Sequence, residues 1–255
     1  DDFDNDNFSI LKFYQRRIRR ILPVLILVII FCTFFSFILM TRTEIGIFSK
    51  SVISTILFFS NFFFWKTSPY FQSESELIPL LHTWSLSIEE QFYLFFPLVL
   101  IVIYKINKKY IFITILSGTI ISFLICLYLS LKSSGVFNFY FTFSRAWEIG
   151  AGCLAACLIK NYHKKNYIKF NSTLSFLGIL LILFSFIFLS KDQSHPSIFT
   201  LIPVIGTILI IVFADEGTLV KKILSTKILV FIGLISYSLY LWHQPLFVFS
   251  RLYSD

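Results

Sequence analysis

Residues 21–40 read ILPVLILVIIFCTFFSFILM, twenty positions without a charged side chain. The hydrocarbon core of a bilayer is about 30 Å thick and takes about 20 apolar residues of helix to cross. This run therefore predicts a membrane-spanning helix. Reading onward from it, seven further apolar segments follow at roughly 48–65, 84–104, 110–131, 138–159, 171–190, 198–214 and 228–250. Backbone amides in lipid must be satisfied within their own segment or in a closed barrel, and no window shows the alternating apolar and polar pattern of barrel strands. The expected fold is all-α, a polytopic transmembrane helical bundle of about eight membrane segments, with residues 1–255 forming one membrane domain.

Composition agrees with that reading. Of 255 residues, 56% are apolar and 14% charged, and 33 are Phe against nine Gly and seven Pro. A single water-soluble core could not cover so much apolar surface, and disordered or collagen-like chains have different compositions. The formal charge of +8 would suggest nucleic acid in a soluble protein, but here Lys and Arg gather between apolar runs and act as topology signals, so no nucleic-acid partner is expected. Cys32, Cys126, Cys153 and Cys157 lie in apolar stretches without zinc-ligand spacing, so neither a metal site nor a disulfide framework is expected. The chain opens Asp1-Asp2-Phe3-Asp4, without an initiator Met or a signal pattern, and reads as a piece of a longer protein.

Basic joints follow segments three, five and seven, at Lys105, Lys108 and Lys109, at Lys160, Lys164, Lys165 and Lys169, and at Lys221, Lys222 and Lys227. The positive-inside rule makes that side cytoplasmic and the C-terminus external, with the joints near Lys132 and Lys191-Asp192 facing outward. Lys12, Arg16, Arg17, Arg19 and Arg20 should also be cytoplasmic, which eight complete crossings do not allow. One segment is therefore expected to be re-entrant. Segment two, with Ser51, Ser54, Ser60 and Asn61, and the polar start of segment three are the candidates. Non-helical backbone at membrane depth is tolerated only when buried in protein or lining a wet cavity, which points to a cavity near residues 60–92.

Four polar clusters remain unexplained by membrane insertion alone. In FYQRRIRRILP, residues 13–23, helical spacing sets Arg17 beside Arg20 and Arg16 beside Arg19 and Arg20. An anion would relieve their repulsion, either the phosphates of a cytosolic cosubstrate or anionic lipid headgroups. In LLHTWSLSIEEQFY, residues 80–93, a helix would put His82, Ser85 and Glu89 on one face and Ser87 and Glu90 on another. A His near a carboxylate can serve a hydroxyl as general base; the plainer reading is a helix start capped by Thr83 or Ser85. In SRAWEIGAG, residues 144–152, Arg145 and Glu148 can neutralise each other, while Gly150 and Gly152 allow a close helix neighbour. In GLISYSLYLWHQP, residues 233–245, Ser236, Tyr240 and His243 form a stripe able to line a polar cavity, although aromatic residues also anchor helices at the interface. His163 and His195 fall in predicted loops and receive no chemical role.

Taken together and in this order, RRIRRILP, PLLHTWSLSIEEQFYLFFP, SRAWEIGAG and GLISYSLYLWHQP resemble the acyltransferase 3 family of bacterial membrane O-acyltransferases, from about Phe8 to Phe249. The resemblance implies transfer of an acyl group, often acetyl, from cytosolic acyl-CoA to hydroxyls of an envelope polysaccharide or lipid-linked sugar. It also implies a multi-pass protein of the bacterial inner membrane. Arg17 and Arg20 match the family's RxxR element on the donor side. On that basis the polar clusters are read as placing His82, Glu89 and Glu90 in catalysis, and Trp84, Ser85, Arg145, Glu148, Tyr240 and His243 in substrate binding. Acyl-CoA enters as cosubstrate, with no tightly bound cofactor and no metal. Family members typically carry two earlier helices, the first bearing a catalytic His, and often a fused extracytoplasmic domain; both are expected outside this chain. The alternatives are a transporter or a lipid- or glycan-binding membrane protein without acyl-transfer chemistry, and a purely structural anchor.

Overall fold

The computed structural model describes residues 8–67, 77–132, 135–161, 168–189 and 195–254. Among these every regular element is helical: α1 Ile10–Leu39, α2 Arg42–Ile56, α3 Ser60–Thr67, α4 Thr83–Ile106, α5 Tyr110–Leu131, α6 Gly135–Tyr140, α7 Thr142–Asn161, α8 Ile168–Phe188, α9 Leu201–Phe213, α10 Leu219–Leu224 and α11 Lys227–Ser254, with a 3-10 turn at Ile198–Thr200. His163, Lys164, Lys165 and Lys191-Asp192 lie outside the described residues.

Five helices, α1, α4, α5, α8 and α11, are long and apolar enough to cross a bilayer. The remaining three expected segments fall short for separate reasons. Segment two is two helices of 15 and 8 residues, divided at Leu57–Phe59. At about 1.5 Å per residue neither half reaches across 30 Å. Segment five begins in the six-residue α6 and continues as α7, whose 20 residues include Arg145, Glu148 and Lys160. Segment seven carries the 3-10 turn Ile198–Thr200 and the 13 residues of α9. Large apolar side chains nonetheless cover the outside: Phe37, Leu131 and Phe186 are 72%, 86% and 83% exposed. In water so much apolar surface would drive association, so the helices read as a multi-pass membrane protein.

Helix α1 starts eleven residues before the apolar run. Ser9 caps it by accepting from the Lys12 amide, and the basic residues occupy its first turns, because Arg and Lys are good helix formers; the helix continues through Pro23 to Leu39. The division of segment two is less expected, since Leu57-Phe58-Phe59 contains neither Gly nor Pro. Phe58 there adopts φ 53°, a left-handed conformation that costs a residue with a Cβ about 1–2 kcal/mol.

The chain forms two compact units, Asp1–Ser87 with Ile235–Asp255, and Ile88–Leu234. In the first, Leu25, Val28 and Cys32 of α1 pack with Phe48, Leu80, Leu86, Leu241 and Phe249. Phe31 sets its ring edge-on to Trp242 and Phe249, at centroid distances of 4.9 and 6.0 Å. In the second unit, Ser122 of α5 donates to the Phe143 carbonyl at 2.6 Å and accepts from the Trp147 amide at 2.8 Å, fixing α5 to α7. Asn138, fully buried in α6, donates through Nδ2 to the carbonyls of Cys126 and Pro196 and to the Ser130 hydroxyl at 3.0–3.1 Å.

Glycines close the remaining helix pairs of that unit. A Cβ on Gly178 of α8 would lie 2.6 Å from the Gly206 carbonyl of α9, and a Cβ on Gly206 would lie 2.8 Å from that of Gly178. The expected close approach at Gly150 is present, against the Thr119 side chain of α5, whereas Gly152 faces open space and has no packing role.

Candidate functional site

The first unit assembles the polar residues of two sequence clusters that lie more than 150 residues apart. His82 ends the turn before α4 and is only 7% exposed. Its ring centroid lies 5.1 Å from Tyr240 and 5.2 Å from His243, both on α11. The Tyr240 hydroxyl donates to the His82 carbonyl and shares a second hydrogen bond, 2.7 Å long, with Ser85 Oγ. Since the Tyr240 proton is used on the carbonyl, Ser85 donates to Tyr240 and keeps its own lone pairs available. Tyr240 and His243 thus come from the expected stripe, and Ser85 bonds across to another helix rather than capping its own. Trp84 beside them is buried.

His243 is exposed, and its Nδ1 lies 2.6 Å from the Tyr240 carbonyl. A carbonyl only accepts, so Nδ1 carries the proton and Nε2 presents a lone pair. Neither ring nitrogen of His82 has a hydrogen-bonding partner of good geometry. Burial, followed by the neighbouring His243, lowers its pKa from 6.5 to about 3, against the opposing pull of the Leu241 and Pro79 carbonyls. Pro245 has no N–H to give the Leu241 carbonyl, which leaves that oxygen outside the ladder of α11. His82 is therefore a neutral imidazole with unused donor and acceptor capacity, an expensive thing to bury without use.

Sequence reasoning missed the hydroxyl network that supports this turn. Thr83 Oγ1 bonds Thr55 Oγ1 at 2.9 Å, Ser60 Oγ at 3.1 Å and the Leu80 carbonyl at 2.7 Å. Ser87 Oγ accepts from the Ser60 amide and bonds Ser60 Oγ at 2.8 Å. All of these hydroxyl residues are buried. Their signal is the density of Ser and Thr in segment two, which marks re-entry and equally supplies partners for the HTWSLS stretch. At the head of α1, Arg17 is half-buried with its guanidinium 5.3 Å from the Phe13 ring centroid, and Arg20 is exposed.

The second unit holds the other expected site residues. Glu89 is exposed and Glu90 half-buried with Oε1 inside, so the two carboxylates do point different ways. Gln91 next to them accepts from Thr142 of α7. Arg145 and Glu148 form the expected pair at 2.9 Å, each about one-fifth exposed, and Arg145 also lies over the Phe139 ring. The second carboxylate oxygen of Glu148 is buried without a hydrogen bond. Among the described residues, no group of three or more His, Cys, Asp or Glu could hold a metal ion, and the four cysteines are free thiols.

Comparison with known proteins follows the same residues. The profile of the family described as acyltransferase domain matches residues 5–255. The O-acetyltransferase OatA of Staphylococcus aureus strain NCTC 8325 is 30% identical over 261 residues, covering 98% of this chain and 43% of the relative. A putative O-acetyltransferase of S. aureus strain COL is 30% identical over 264 residues, covering 99% and 43%. This chain spans less than half the length of these curated relatives. No solved structure matches it.

Proposed function

Because the chain belongs to the acyltransferase 3 family, we propose that it is the membrane part of an O-acyltransferase that moves an acyl group from acyl-CoA to a hydroxyl of a cell-envelope glycan. The names of its relatives favour acetyl. The observation that carries the reading is His82, a buried, neutral imidazole with neither nitrogen in a hydrogen bond of good geometry, held by Tyr240 and next to a second imidazole whose tautomer is set by a backbone carbonyl.

Acyl transfer needs such groups. The acceptor oxygen attacks the thioester carbonyl carbon while its proton leaves to a base. The resulting oxyanion collapses, the carbon–sulfur bond breaks, and the coenzyme A thiolate takes up a proton. A neutral imidazole can accept a hydrogen bond from the incoming hydroxyl or donate one to the developing oxyanion. The low basicity of His82 suits orientation rather than proton storage. His243, with Nε2 free and exposed, is the better relay. The family resemblance assigns the principal base to a His in an earlier helix. Arg17 and Arg20, one turn apart on α1, would hold the donor's phosphates through guanidinium forks, a role that Lys would fill less well. Glu89 and Glu90 would take part in catalysis, and Arg145 and Glu148 in substrate binding.

The test uses the full-length protein in membranes supplied with labelled acetyl-CoA, followed by fractionation of the envelope. Label should appear in a glycan, and the Arg17→Gln/Arg20→Gln double variant should insert normally and transfer none. Unchanged labelling in that variant would remove the arginines from donor binding. Movement of a solute without any acetyl transfer would replace the enzyme reading with a transporter.

A further inference from the structure

Helices α1 and α2 enclose a groove of about 250 Å³ in the first unit, lined by Thr33, Ser36, Phe37, Phe48, Ser49 and Val52 among others. Three features of this groove point to one class of occupant. Its walls are apolar, because the hydroxyls of Thr33 and Ser49 are turned back onto the carbonyls of Ile29 and Ile45 in their own helices. Ser36 is the exception: it is 1% exposed and its Oγ has no hydrogen-bond partner. At the end where the helices join, Arg42 is exposed, while the Glu44 carboxylate beside it is occupied by the Thr41 amide and hydroxyl at 2.7 Å.

Position along α1 adds a fourth. Ser36 stands sixteen residues after Arg20, about 24 Å along the helix at 1.5 Å per residue. In a helix crossing a core about 30 Å thick, that places the groove near the membrane face opposite the arginine cluster. A cation, then a single unsatisfied hydroxyl, then an apolar slot follow one another there in the direction of the bilayer centre. A volume below the roughly 300–1,000 Å³ of cavities that take whole drug-sized ligands suits one hydrocarbon chain.

We propose that this groove is a seat for one glycerophospholipid of the leaflet opposite the arginine cluster, with one acyl chain between α1 and α2, an ester carbonyl accepting from Ser36 Oγ, and the phosphate against Arg42. The seat rests on α1 crossing the bilayer and not on acyl transfer.

The experiment places the full-length protein in nanodiscs containing phosphatidylglycerol with a diazirine in one acyl chain, followed by photolysis and peptide mapping. Adducts should concentrate at 33–37 and 45–53. Ser49→Trp, at an exposed position on the groove wall, should reduce them at least tenfold. Ser36→Ala, which removes one hydroxyl, should weaken them about two- to tenfold, the range of one hydrogen bond. Arg42→Gln should reduce the preference for phosphatidylglycerol over labelled diacylglycerol. Size-exclusion profiles confirm that each variant is folded, and Ser36→Ala alone decides the matter if the tryptophan is not tolerated.

Labelling spread evenly over lipid-facing residues of α5 and α8, or indifferent to both groove variants, would overturn the proposal. Suppression of the labelling by acyl-CoA added before photolysis would also overturn it, by making the groove part of a donor tunnel. Acyl transfer measured on the same samples separates the two readings. A protein that labels in the groove and transfers nothing keeps the lipid seat and loses the enzyme, and the reverse outcome does the opposite.

Discussion

The turn before α4 and the contact between α8 and α9 solve the problem of packing in lipid in opposite ways. Around His82, side chains bond across helices: Ser85 with Tyr240, Thr83 with Thr55 and Ser60, and Tyr237 with the Ile21 carbonyl at 3.1 Å. Between α8 and α9 the glycines bring backbones together, and the hydroxyls of Ser175, Ser185 and Thr207 are spent on carbonyls four residues back in their own helices. Small residues and self-satisfied hydroxyls are sufficient to hold membrane helices together. The cross-bonded turn does more than packing demands, and it leaves an imidazole without a hydrogen bond of good geometry. Polar residues in the two regions are similar in kind; what distinguishes a site is the donor or acceptor left over after structure has been satisfied.

The sharpest way to break this contrast is His82→Ala in the full-length protein. Loss of one positioned hydrogen-bonding group at the reacting centre should reduce acetyl transfer about 10²- to 10³-fold, with the amount of inserted protein unchanged. Full activity would make the turn structural, like α8–α9. On the other side, Gly206→Ala forces a methyl into the Gly178 carbonyl and should cost about 1–3 kcal/mol of stability, read as a lower melting temperature in detergent. Activity per folded molecule should hold. A loss of turnover without loss of stability would mean that the glycine contact also serves the chemistry.

Acid stability gives a further separation. The native state keeps His82 unprotonated down to about pH 3, whereas the unfolded chain binds a proton near 6.5. Stability should therefore fall as the pH drops through 6.5, by about 1.4 kcal/mol per unit until the native group titrates near 3. His82→Gln should flatten that part of the profile, measured as melting temperature against pH, and a variant as acid-sensitive as the parent would show that the burial of His82 is not what sets the slope. The smallest effect belongs to Thr207→Ala. Its hydroxyl serves only the Pro203 carbonyl of its own helix and it is exposed, so a change within about 0.5 kcal/mol is expected, and a larger one would show that α9 also depends on side-chain bonding.

Helical class and membrane habit were legible from runs such as 21–40, because apolar length is a property of the chain alone. The HTWSLS and SYSLYLWHQP stretches also stood out, since polar groups within apolar runs are costly wherever they end up. Their meeting was not legible: Tyr240 reaches the His82 carbonyl across 158 positions, and no local periodicity encodes that. Intrahelical relations such as Arg145 with Glu148 followed directly from spacing. The division of segment two did not, because Phe58 takes a conformation that its residue type disfavours and tertiary packing must enforce. Gly178 and Gly206 carried a signal that went unread, one glycine in each of two neighbouring apolar runs.

That reversal at Phe58 opens two helix ends where little water is available to meet them. The first amide of α3 finds an oxygen in Ser87, and Thr55, Ser60 and Thr83 join it in a cluster that serves as a fixed, four-membered stand-in for solvent. Such a built-in droplet cannot be swapped piecemeal for methyl groups, so aliphatic substitutions that ordinary membrane helices accept would here leave broken backbone stranded in oil.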